Sequence, residues 1–164
     1  MSIAWFPASP SGNPRGAAAV GMLADLPVLE QGAVLLMRHW CSAADGRQAV
    51  ADDFIFALGA DRGSAAVAAL DHLISLIVDH GRRPFMRHDL SCACIGGDES
   101  AFAQMVAAAT ADDTEDAMAF ALTMLPAAYA YEAVQTARGF GLCVLNLARN
   151  LRSRAPYPAS SQHH

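Results

Sequence analysis

Lysine is missing from this chain: all eleven basic residues are arginine. That absence rules out Schiff-base catalysis, a phosphate-loop lysine and a lysine general base. Charge of either sign is scarce, at 16% of residues against 54% apolar ones, and the mean hydropathy is +0.24. So small a charged share leaves little polar surface to coat a monomer, and it points to a helix-packed homo-oligomer, most simply a homodimer. The net charge of −5 argues against a nucleic-acid partner, because phosphate binding needs a basic footprint.

Long apolar runs are missing too. The longest uncharged stretch, residues 117–131, contains Pro126 and is shorter than the ~20 residues that span a bilayer. The opening Met1-Ser2-Ile3-Ala4-Trp5-Phe6-Pro7 has neither a cationic start nor a long apolar segment, so no secretory signal is expected. The expectation is therefore a cytoplasmic protein with no membrane span. Its four cysteines should be reduced thiols or ligands rather than a disulfide framework.

Several complete catalytic signatures are absent as well. There is no H-E-x-x-H or E-x-x-H, which argues against zincin and ferritin-like di-iron chemistry, and no G-x-S-x-G. The acidic run Asp112-Asp113-Thr114-Glu115-Asp116 lacks the glycine and spacing of a calcium loop. It reads instead as a helix start, with Asp113 as cap and Glu115 and Asp116 set against the macrodipole. No catalytic residue is assigned.

What the chain does have is helical periodicity. The expected fold is all-α: an irregular bundle of five or six helices, with an extended N-terminal arm and a central non-helical loop at about 82–97. Pro7, Pro10 and Pro14 with Gly12 and Gly16 keep residues 1–23 from regular helix, and Trp5 and Phe6 could anchor that arm. Residues 24–155 form a single helical domain, and 156–164, with Pro156 and Pro158, an extended tail.

Helices are expected at about 26–41, capped by Asp25 with Pro27 in its first turn, and at 47–58, ended by Gly59 as a left-handed cap. A third at 64–80 carries Val67, Leu70, Leu73, Ile74 and Ile77 on one stripe. Others should cover 98–111, 114–125 and, beyond Pro126, 128–153. The last shows two apolar stripes, Tyr131-Val134-Leu142-Leu145 and Phe140-Val144-Leu147-Leu151, so it is either central to the bundle or shared with a second subunit. Gly139 and Gly141 each cost about 1 kcal/mol there relative to alanine, which implies a close helix approach or a kink.

The loop is where chemistry concentrates. His88 and Cys92 stand four residues apart and Cys94 two further on, a spacing at which one turn gathers an imidazole and two sulfurs. Such a set suits zinc or another transition metal, with ligand distances of about 2.0–2.3 Å. The fourth ligand would be Cys41, His39, His72, His80, Asp89, Asp98 or a water. If the reading holds, the three side chains face one another and an acceptor fixes the imidazole tautomer.

Other readings use the same loop. Cys94 just before a helix start would have a lowered thiol pKa and could serve a small redox protein, although a Cys92–Cys94 disulfide is strained at that spacing. Alternatively the chain is a helical interaction module without metal or catalysis. Asp98 and Glu99 read as first-turn acids of the next helix, and Cys41 and Cys143 as packing residues. Met37-Arg38-His39 recurs as Met86-Arg87-His88, a match too short to mark a duplication.

Overall fold

The computed structural model describes residues 15–154. The anchoring role of Trp5 and Phe6 and the extended tail at 156–164 lie outside them. Among the described residues six α-helices follow one another: α1 Val28–Ser42, α2 Ala44–Leu58, α3 Ala60–His80, α4 Gly97–Thr110, α5 Thr114–Met124 and α6 Ala127–Arg154. The fold is all-α apart from a small antiparallel ribbon of β1 Ala19–Met22 and β2 Cys94–Gly96.

The helix boundaries shift for local reasons. Asp25 does not cap α1; it ends a short 3-10 turn at Leu23–Asp25, and Pro27, with φ of −53°, stands at the cap instead. The break after α1 is one extended residue, Ala43, so α2 begins three residues earlier than its periodicity suggests. Gly59 stops α2 at a positive φ of 84°, but its ψ of 167° is not that of a left-handed helical cap. Asp113 does cap α5, its side chain accepting from the Asp116 N–H.

The expected loop at 82–97 is non-helical until α4 begins at Gly97, but it is not isolated. Its last residues form β2, which pairs with the end of the N-terminal arm: Gly21 lies opposite Ile95 and Met22 opposite Cys94. A further bond, Leu23 N–H to Ala93 O at 2.8 Å, continues the clasp. Three- and four-residue strands carry too little alternation to be seen as a pattern in the sequence.

Helix α6 packs against each of the other five helices, so of the two options for this helix the structure shows the central one. Its buried positions, Ala130, Ala133, Val134, Ala137, Phe140, Val144 and Leu147, follow a single helical stripe. Of the other expected stripe, Tyr131 and Leu142 are exposed, whereas Val134 is buried with the first. Gly141 answers to close approach: a Cβ there would strike Thr110 Oγ1 on α4. Gly139 faces open space, so packing gives no reason for it. Edge-to-face ring pairs, Phe54 with Phe140 at 6.3 Å and Phe85 with Phe102 at 6.4 Å, fix the interior. The second pair ties the loop residue Phe85 to α4, which carries the acids of the site.

Candidate metal centre

Two charged residues lie at the bottom of this apolar core. Arg38 on α1 and Glu99 on α4 are both wholly buried. Arg38 Nε donates to Glu99 Oε1 at 2.7 Å, and Nη2 donates to Oε2 at 2.9 Å. The remaining guanidinium protons go to the loop backbone. Nη2 donates to Cys94 O and Nη1 to Cys92 O, each at 2.7 Å, and Nη1 reaches Asp89 O at 3.3 Å. All five N–H donors of the side chain are used. The loop thus takes its shape from an arginine 51 or more residues earlier in the chain.

Glu99 is equally saturated. Besides Arg38 it accepts from the His88 N–H at 3.1 Å, from His88 Nδ1 at 2.9 Å and from the Gly96 N–H at 2.9 Å. Burial alone would raise its carboxyl pKa, but the bonds from Arg38, Gly96 and His88 outweigh that and hold it below the ordinary value, so it stays ionised. The bond to Gly96 is a capping contact, which suits Glu99 as a first-turn acid of α4; the pair with Arg38 and the grip on His88 are additional. Next to it, Asp98 is bound by both Arg83 nitrogens, at 2.7 and 2.5 Å, and accepts from the Met86 N–H at 2.8 Å.

These anchors assemble His88, Cys92 and Cys94. A turn closed by Cys92 N–H to Asp89 O at 3.0 Å folds the loop back, and Arg38 fixes both cysteine carbonyls. The potential ligand atoms of the three residues lie within 4.8 Å of one another, a group that could hold a metal ion. The two sulfurs are 2.7 Å apart. An ionised carboxylate can only accept, so Nδ1–H of His88 donates to Glu99 and Nε2 is the ring nitrogen left for another partner. Gly96 makes room for the ring, since a Cβ there would come within 2.9 Å of His88 Cε1.

The fourth-ligand candidates do not join this group among the described residues. His72 pairs with Glu132 at 2.8 Å, His80 stacks on Tyr129 at 3.9 Å, and Asp98 is committed to Arg83. Cys41 is packed against the core, and burial pushes its thiol up to about 12. Cys143 packs there too, and burial also raises its thiol. His39 lines a groove between α1 and α6. Asp89 instead borders an open groove of about 570 Å³ beside the loop, with Ser42, Arg87, Leu90 and Ser91. Three protein ligands with an exogenous fourth is the arrangement of an open site rather than a closed structural one.

One expectation reverses. The Cys94 thiol is raised, not lowered, first because it shares a hydrogen bond with Cys92 and then by desolvation. The neighbouring sulfur and desolvation outweigh a backbone hydrogen bond and Arg38, both of which act to lower it.

The sequence reading missed Arg38 altogether and took Glu99 only as a cap. A signal was present. Glu99, Phe102, Ala103 and Val106 share one face of α4, and Arg38 follows Val34 by four on the buried face of α1. A lone charge in each of two apolar stripes invites pairing. No protein-family model, curated protein or solved structure matches this chain.

Proposed function

We propose that this protein binds one divalent transition-metal ion, zinc before others, through His88 Nε2 and the sulfurs of Cys92 and Cys94. The observation that carries the reading is the Glu99 carboxylate on His88 Nδ1, the outer-shell partner that metal-bound histidines characteristically have. Charge supports a divalent ion. Arg38 cancels Glu99 and Arg83 cancels Asp98, so the two cysteines, on giving up their protons to an ion, would supply the −2 that a divalent cation balances. Two sulfurs and one nitrogen suit zinc and softer ions over magnesium or calcium.

The fourth position then takes water or an exogenous donor, which fits a sensor-like role better than a purely structural one. Elemental analysis of protein purified without a metal-affinity step tests this. One equivalent of zinc, lost in Cys92→Ser and in His88→Ala, is expected. A metal-free protein that also fails to take up added zinc refutes the reading.

A second reading, association with another copy, draws on exposed apolar side chains. Val28 and Leu151 flank the groove between α1 and α6, and Tyr131 and Leu142 stand out along α6. Light scattering at micromolar concentration should return twice the 17.2 kDa chain mass; a monomer unchanged by dilution rules it out.

A further inference from the structure

We infer that Cys92 and Cys94 form a reversible disulfide on reaction with a hydroperoxide, and that closing this bond expels the metal. The expulsion rests on the metal reading above; the disulfide does not. The sulfurs are 2.7 Å apart, closer than two non-bonded sulfur atoms ordinarily rest. Arg38 holds the carbonyls of both residues from within the core, so the backbone that carries the two sulfurs is anchored by protein. The sulfurs part to roughly 3.8 Å to share a tetrahedral ion and close on one another without it.

Both cysteines are half-buried, as Cys41 and Cys143 are, but they stand on the loop and beside one another. The competing thiols are elsewhere: Cys41 and Cys143 pack against the helical core. A bond between cysteines two apart in sequence is strained, and strained disulfides belong to the readily reduced, regulatory class.

The chemistry balances with hydrogen peroxide as oxidant. One sulfur attacks the O–O bond, becomes a sulfenic acid and releases a water. The second sulfur then displaces the hydroxyl as another water, and the S–S bond forms. Two electrons pass from the sulfur pair to the peroxide; the two protons that complete the waters come from the thiols in metal-free protein and from solvent where the sulfurs are metal-bound thiolates. The sulfurs have then lost the thiolate charge that bound the ion, and His88 alone cannot hold it.

The test uses the full chain in two arms. In the first, metal-free protein is treated with one equivalent of hydrogen peroxide and weighed intact. A loss of about 2 Da, mapped to the peptide containing both cysteines and reversed by dithiothreitol, is expected. Stable oxygen addition in place of that loss, or a bond to Cys41 or Cys143, overturns the proposal. In the second arm, zinc-loaded protein is oxidised in the presence of a chromogenic zinc indicator. Release in step with the mass change, and rebinding after reduction, are expected; zinc retained on disulfide-containing protein overturns the expulsion.

A Cys94→Ser variant should stop at the sulfenic acid, with circular dichroism confirming its fold. If the unoxidised protein takes up no zinc, the metal reading fails there, and the first arm still decides the disulfide by mass.

Discussion

Replacing Arg38 by lysine keeps the positive charge opposite Glu99 but reduces the donors. The guanidinium makes five hydrogen bonds, two to the carboxylate and three to the carbonyls of Asp89, Cys92 and Cys94. An ammonium has three donors on one atom, so at least two acceptors are abandoned. Hydrogen bonds to a charged group contribute about 1.5–3 kcal/mol each, and the site is fully buried, so the loss should be roughly 3 kcal/mol or more. For a chain of this size that lowers Tm by about 6–12 °C. Urea and thermal unfolding followed by far-UV circular dichroism measure it.

A companion cycle separates charge from hydrogen bonding. Arg38→Met leaves Glu99 buried and unpaired and should cost about 3–5 kcal/mol, whereas Arg38→Met with Glu99→Leu should cost less than the sum of the two single changes. An Arg38→Lys protein within about 0.5 kcal/mol of the parent would refute the claim that the guanidinium organises the loop. Additivity in the cycle would refute the pairing.

The other predictions concern neighbouring parts of the same argument. Glu99→Gln should weaken zinc binding by roughly 10- to 100-fold, read by competition with a chelator, because the imidazole loses its anionic partner. Glu99 is held below its ordinary value of 4.5, so its contribution to stability is present above that pH and is lost as pH falls through the lower folded value. Urea midpoints should therefore drop below about pH 4.5, and more weakly in Glu99→Gln. On α6, Gly141→Ala should destabilise by roughly 1–3 kcal/mol, because its methyl meets a Thr110 hydroxyl already bonded to Val106 O at 2.6 Å. Gly139→Ala should stabilise by about 0.5–1 kcal/mol; equal effects at the two positions would contradict the packing described for this helix.

Much of this protein is written locally. Helix α5 starts where Asp113 can cap it, α6 starts after Pro126, and α3 shows its buried stripe in the spacing of Leu70, Leu73, Ile74 and Ile77. Such features depend on residues within a turn or two of one another, so the sequence alone determines them. The closeness of His88, Cys92 and Cys94 in the chain makes their meeting possible, but it is Arg38 and Glu99, from distant helices, that hold the turn which gathers them.

What only the tertiary structure decided involves partners far apart in sequence. Arg38 and Glu99 are 61 residues apart, and nothing local to either says that they meet. The ribbon of β1 with β2 joins segments separated by three of the six helices, and α6 is central because it packs against all five others. The tautomer of His88 and the commitment of Asp98 to Arg83 follow from those meetings. The physical reason is common to all of them. Local spacing fixes which face a side chain takes, but a buried charge is tolerable only where the whole fold supplies its counter-charge and every hydrogen bond it needs.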